Sequence, residues 1–409
     1  MHQTQKHVGG AFMRLLTHGL ATLMITLLFV ACGGGGSSGN GGSGGSHPIV
    51  LQVVDAGGYS AQLKPMLDAY QKAHPDKVSK VVYPPRIQAP QLPGKLKAQE
   101  DAGNIQDTLV ISGYDGVASS TQQGLVDQLM PTQAAKFPNL DDNYLPAAKA
   151  YNDLANGYAL VFAYTPSGPI FEYDPAKVPT PPTTIEELRT WIKAHPRQFL
   201  YARPANSGPG RTMLMGLPYL LGDKDPKDPT NGWDKTWAFL KDIGSTIDSY
   251  PTRTGDTMTA LGTGQVSMIA STLGWDINPR SLHQVPAGDK TFVLKDTTFV
   301  ADAAFMMLPR GLDDQRKSVM LDVMSSILQP QQQAFNYDDG FFFPGPAVKN
   351  VSVSMAPAHS QQVLQEFGRP EYDGIIQQAK IVTPLGTSQI VAAFKKWDQD
   401  VGSGKYKAA

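Results

Sequence analysis

The sequence predicts an α/β protein of two lobes, and three observations predict it. The chain has 409 residues, more than one hydrophobic core ordinarily organises, so two domains is the natural count. Short apolar runs, such as residues 49–54 and 107–112, alternate with amphipathic stretches, the pattern of strands buried on both faces with helices between them. The stretch 158–175 joins two β-forming runs, 158–164 (ending at Tyr164, a candidate ligand contact) and 170–173, through the turn cluster Thr165-Pro166-Ser167-Gly168-Pro169. A hairpin satisfies that pattern, and so does a crossing between lobes. Strand-then-helix patterns on both sides extend over more residues than one lobe needs, which favours the crossing.

Composition narrows the function classes. Lys and Arg number 35 against 36 Asp and Glu, with no basic stripe, so nothing points to nucleic acid. The only cysteine is Cys32, which excludes a disulfide framework and a cysteine metal cluster. Lys6 and Arg14 precede the uncharged run 15–31, the layout of an export signal. Residues 33–46 are glycine, serine and one asparagine, a tether with a reach of roughly 20 Å. Gly41-Gly42-Ser43-Gly44-Gly45 fits the serine-hydrolase elbow only by composition, because no strand precedes it and no helix follows.

The body begins with a buried strand over 49–54. The turn Asp55-Ala56-Gly57-Gly58-Tyr59-Ser60 follows, then a helix that Ser60 can cap, with Leu63, Leu67 and Tyr70 on one face. Gly58 and Tyr59 are candidate ligand contacts if the turn leaves backbone N–H groups free; the glycines equally serve a tight turn. A strand over 80–83, a helix over 92–102 and a strand over 107–112 come next. Tyr114 and Asp115 in the exit turn can hold a polar or cationic group, or Asp115 can cap the next helix. Past the crossing, Thr183 or Thr184 with Glu187 opens a helix. The strand 199–202 empties into residues 203–211, where Arg203 and Asn206 offer donors and a helix starts near Thr212. An anion can sit there, or Arg203 faces solvent.

Asp256 can cap a helix over 257–261, and the strand 266–271 ends at Gly274-Trp275-Asp276. Trp275 serves either packing or ligand stacking, and Asp276 supplies a charge. The run 297–308 is read as a second crossing, in which Asp302 is either paired or facing a cleft. A helix over 314–328, the run Phe341-Phe342-Phe343 and helices over 361–378 and 388–401 complete the chain.

The order of these features resembles that of the extracellular solute-binding proteins of ABC importers with type II organisation. The residues that carry the likeness are the polar turn at 165–169 with Tyr173-Asp174-Pro175, a variant of the family's Tyr-Asn-Pro. The strand, glycine turn and helix at the start of the body, the Arg/Pro/Asn/Gly turn at 203–210, and Gly262-Thr263-Gly264 before a strand add to it. Phe29-Val30-Ala31-Cys32 resembles a bacterial lipobox, with Phe29 where leucine is usual. The resemblance implies a two-lobed type II periplasmic-binding-protein-like fold, each lobe a mixed sheet flanked by helices, with a hinge between lobes.

It further implies a signal at 1–31, a lipidated Cys32 and tether at 32–46, and a first lobe at 47–165. A second lobe then occupies 166–296, the return to the first 297–345, and closing helices, mainly on the second lobe, 346–409. The expected protein is a periplasmic or extracytoplasmic monomer, held at the membrane by its lipid alone, that passes a small-molecule solute to an ABC permease and its ATPase. The residues offer no catalytic constellation, cofactor motif or metal set. His47, His74, His195, His283 and His359 are scattered, and no adjacent tyrosines occur of the kind used for ferric iron. The alternatives are a secreted lipid-anchored enzyme and a structural surface lipoprotein. Asp115, Asp276, Asp302 and the aromatics suit a cation such as a polyamine, whereas Arg203 and the glycine turns suit an anion or a sugar.

Overall fold

The computed structural model describes residues 47–406. The signal, Cys32 and the tether read from the amino-terminal sequence lie outside the described residues. The strands run in the order β1 (Ile49–Asp55), β2 (Val78–Val82), β3 (Leu109–Ser112), β4 (Leu160–Gly168), β5 (Ile170–Tyr173), β6 (Phe199–Leu200), β7 (Met268–Ser271), β8 (Lys290–Phe292), β9 (Thr298–Met307), β10 (Gly345–Pro346) and β11 (Lys380–Val382).

They build two mixed sheets, one per lobe. The larger has the order β10-β4-β9-β3-β1-β2, with β11 also paired to β9. In it β1 is parallel to β2 and β3, and β9 is antiparallel to β3 and β4. The smaller has the order β6-β7-β5-β8, with β6 parallel to β7 and β5 antiparallel to β7 and β8. Every residue of β4 and β9 is buried, as expected of central strands covered on both faces. The helix Ser60–Ala73 covers the larger sheet with Leu63, Met66, Leu67 and Tyr70, spaced three to four residues apart on one face. In the smaller lobe Thr184 opens the helix Ile185–Ala194. Its hydroxyl accepts the Glu187 N–H at 3.2 Å, and the Glu187 carboxylate accepts the Thr184 N–H at 3.3 Å, so both ends of the turn are satisfied.

The chain passes from the larger sheet to the smaller through Pro169 alone, between β4 and β5, and returns between β8 and β9. The two passages are neighbours: Thr165 pairs with Asp302 and Gly168 with Val300. Residues 158–173 therefore form a crossing rather than a hairpin. The expected turn at 165–169 is mostly strand, because pairing with β9 carries β4 as far as Gly168 across an irregularity between Thr165 and Gly168.

Other boundaries shift for identifiable reasons. The expected helix near Thr212 begins at Gly208, capped by the Ser207 hydroxyl, which accepts the Gly210 N–H at 3.3 Å. The expected helix over 361–378 is two, Ala358–Phe367 and Glu371–Gln378, separated where Gly368-Arg369-Pro370 cannot continue the first. The final helix, Thr387–Asp400, packs against the helix Tyr114–Gln122 of the larger lobe. It also presents Trp397 to the smaller lobe, where the indole donates to the Tyr201 hydroxyl at 3.1 Å.

Candidate functional site

Asp55, the last residue of β1, organises the first wall of the site. Its buried carboxylate accepts the N–H groups of Gly57, Gly58, Tyr59 and Ser60 at 2.9, 2.6, 3.2 and 2.9 Å. Asp55, not Ser60, therefore caps the following helix, and the turn N–H groups expected to be free for a ligand are already occupied. Gly58 has φ +87°, a left-handed conformation that favours glycine, and the exposed Arg86 guanidinium lies over it, 2.8 Å from where a Cβ would stand. The Asp55 carbonyl accepts the Ile87 N–H at 3.0 Å, which fixes the loop carrying Arg86 beside the turn. Tyr59 buries its ring edge-on to Phe162 and Phe342, with centroids 6.2 and 5.6 Å away. Burial, reinforced by the Asp302 carboxylate, holds its phenol well above the usual range, so it remains neutral.

The opposite wall comes from the smaller lobe. The helices Gly208–Leu220 and Thr254–Gly262 both direct their first turns toward the same space, joined by the Thr254 hydroxyl, which donates to the Ser207 hydroxyl oxygen at 2.8 Å. The turn after β7 adds Thr272 and Trp275. Gly274, with φ +94°, lies so close to residues 340–343 that a Cβ would meet the Gly340 carbonyl at 2.5 Å. That close approach seats Trp275 against Phe341, with ring centroids 4.8 Å apart.

Between the walls lies a cavity of about 480 Å³ lined by both lobes and by Asp302 on the crossing strand β9. At its base Arg211, on the helix Gly208–Leu220, is almost wholly buried. It donates to both Asp302 carboxylate oxygens at 2.7 and 3.0 Å and pairs with Asp115 of the larger lobe at 3.1 Å. Asp302 also accepts the Ala303 N–H at 2.9 Å. Burial raises the Asp115 pKa, and Arg211 opposes that rise. Burial alone disfavours the charged guanidinium of Arg211, but the Asp302 and Asp115 carboxylates outweigh it and hold its pKa well above the ordinary value. Asn206 makes a second link between lobes, donating to the Gln88 side chain at 3.2 Å.

The comparisons with known proteins bear on this geometry. The sequence pattern of a family described as bacterial extracellular solute-binding protein matches residues 65–361. The chain belongs to that family. Its role is solute binding. No curated protein matches the sequence. Solved structures share the fold at low identity. The periplasmic binding protein AfuA from Actinobacillus pleuropneumoniae, with exogenous fructose-6-phosphate bound, aligns at a TM-score of 0.60 and 12% identity, over 88% of this chain and 99% of its own. The Atu4243-GABA receptor aligns at 0.63 and 14%, over 89% and 100%. A substrate-binding protein of the ABC transporter from Agrobacterium tumefaciens aligns at 0.59 and 14%, over 88% and 96%.

Of the candidate residues of this solute-binding protein, Gly58, Tyr59, Asn206, Trp275 and Asp302 line the cavity, and Asp115 stands behind Arg211 in a recess of about 30 Å³. The remaining four lie elsewhere. Tyr114 is buried against Tyr151 and Phe305, its hydroxyl 3.2 Å from both the Leu154 carbonyl and Thr387. Tyr164 is buried within β4 beside β10 and β9. Arg203 donates to Asp398 at 2.8 and 2.5 Å and to Asn206 at 2.6 Å, so it is neither in solvent nor free for an anion. Asp276 is fully buried, accepting from Arg369 and Tyr372 at 2.6 Å each and pairing with Arg280 at 3.3 Å. Beside it burial, reinforced by the Asp276 carboxylate, pushes the Glu172 carboxyl pKa well up.

Sequence reasoning missed Arg211, Arg86, Thr254 and the role of Phe341 and Phe342. Arg211 carried a usable signal: an arginine two residues before the apolar run Met213–Leu217, in the same helix, must be paired when that helix is buried. Among the described residues no cluster of His, Cys, Asp or Glu is placed to hold a metal ion, and no helix is long and apolar enough to cross a membrane.

Proposed function

We propose that this protein captures a small polar solute in the cavity between its lobes and delivers it, unchanged, to the permease of an ABC importer. The observation that carries this reading is the cavity itself: two lobes joined by adjacent passages at β4 and β9 enclose it, with polar groups from both sides directed inward. In this account the lobes, divided near residues 166, 297 and 346, rotate about that paired crossing and close on the solute. The protein acts as a monomer outside the cytoplasm, held to the membrane by a lipid on Cys32 and the glycine-rich tether. The solved relatives name ligands as different as fructose-6-phosphate, GABA and thiamin, so none is transferred to this chain.

The test is equilibrium binding with recovery of the ligand. A compound that raises the unfolding temperature of the full-length protein and is recovered unchanged supports capture. Conversion of such a compound to product would replace this reading with an enzymatic one. Incorporation of labelled fatty acid, abolished by Cys32→Ser, checks the anchor.

A further inference from the structure

We infer, resting on the solute-binding reading, that the captured solute is a small organic anion whose carboxylate or phosphate group is held by Arg86, with its body against Trp275. Four charged side chains line the cavity: Arg86, Arg253, Asp256 and Asp302. Asp302 is saturated by Arg211 and the Ala303 N–H. Asp256 is taken by Arg253, at 2.8 and 3.2 Å. Among the described residues no carboxylate or other acceptor engages the Arg86 guanidinium, which is exposed over Gly58.

Arg86 is therefore the one charged side chain among the described lining residues that has no partner, and the first turns of two helices add partial positive charge to the cavity wall. A polyamine would meet the Arg86 guanidinium and find both lining carboxylates, Asp256 and Asp302, already engaged. A neutral sugar would leave Arg86 desolvated and unpaired once the lobes close, which is costly. An anionic oxygen group satisfies the guanidinium bidentately. The rest of the cavity suits a flat or apolar body: Trp275 is half-buried against Phe341, with the Thr272 and Gln284 side chains at its rim for hydrogen bonding.

The experiment measures binding of the full-length protein to phenylacetate, succinate, glycerol phosphate, glucose phosphate, glucose and spermidine, by thermal shift and then calorimetry. Binding confined to the carboxylates or to the phosphates supports the inference and decides between the two sources. Affinity for that anion should then fall about tenfold or more in Arg86→Gln and less in Arg86→Lys. It should also weaken with added salt, while the unliganded unfolding temperature of both variants stays that of the parent. Binding of glucose or spermidine with affinity unchanged by Arg86→Gln would overturn the anion assignment and leave solute capture standing. Binding of none of the probes would count against both.

Discussion

Arg211→Met is the most informative single change. In the parent, Arg211 is 4% exposed and compensates two carboxylates, Asp115 and Asp302, whose side chains are 11% and 5% exposed. Removing one partner of a buried ion pair costs about 3–5 kcal/mol, because the surviving charge has neither water nor counter-ion. Here two carboxylates survive, but each escapes part of the penalty by taking a proton, so about 4 kcal/mol is a fair expectation. At about 2.1 cal/mol/K per residue over residues 47–406, the unfolding entropy is roughly 0.8 kcal/mol/K, and that loss lowers Tm by roughly 5 °C. The loss also depends on pH. Burial already raises the Asp115 pKa against the opposition of Arg211, so in the variant, with Arg211 gone, its folded pKa lies further above the unfolded value of about 3.9. The folded protein then binds protons that the unfolded chain releases, so stability falls as pH rises. Melting curves should show a wider gap between variant and parent at pH 8 than at pH 5. Adding Asp115→Asn and Asp302→Asn should recover much of it. A gap below about 2 °C, or one equal at both pH values, would refute the idea that this triad is a buried charge balance linking the lobes.

Three further outcomes follow from the same geometry. Asp55→Ala orphans four N–H groups of one turn. Water reaches the half-exposed Gly57 and Gly58, so we expect a loss of about 3 kcal/mol and a Tm lower by roughly 4 °C. Burial, with Asp339 adjacent, pushes the Asp338 carboxyl up to about 7, and its φ of 29° suits asparagine. Because that folded pKa exceeds the unfolded one, the penalty grows from about pH 4 to 7 and then levels; Asp338→Asn should raise Tm most above pH 7 and least near pH 4, read by melting across pH. Trp275→Ala removes a half-buried cavity wall, so calorimetry should show weaker ligand binding, and the lost packing against Phe341 should lower the unliganded Tm as well.

The parts of the fold legible in the sequence are those written in contiguous residues. β3, β4 and β9 are apolar runs, the Thr184–Glu187 box marks a helix start, and the Pro/Gly cluster marks the crossing. Cavity-lining residues in the turns after strands, such as Tyr59 and Trp275, were also legible as candidates, since the topology brings strand ends to the cleft. Partners distant in sequence were not. Arg203 meets Asp398 across 195 residues and Asp276 meets Arg369 across 93, and nothing local distinguishes a polar side chain so engaged from one awaiting a ligand. Asp55 was overlooked because a carboxylate four or five residues before a helix caps it only when the intervening glycines fold the turn back on it. Arg86 sits in a proline-rich connection with no pattern of its own; only the fold places it over Gly58.

A crystal structure of the protein with a ligand found by thermal shift shows whether a solute is captured between the lobes. The account predicts ligand density in the cavity between the Gly57–Tyr59 turn and Trp275, contacted from both lobes, with the Arg211 triad intact beneath it. Density bound to one lobe alone, or outside that cavity, would contradict it.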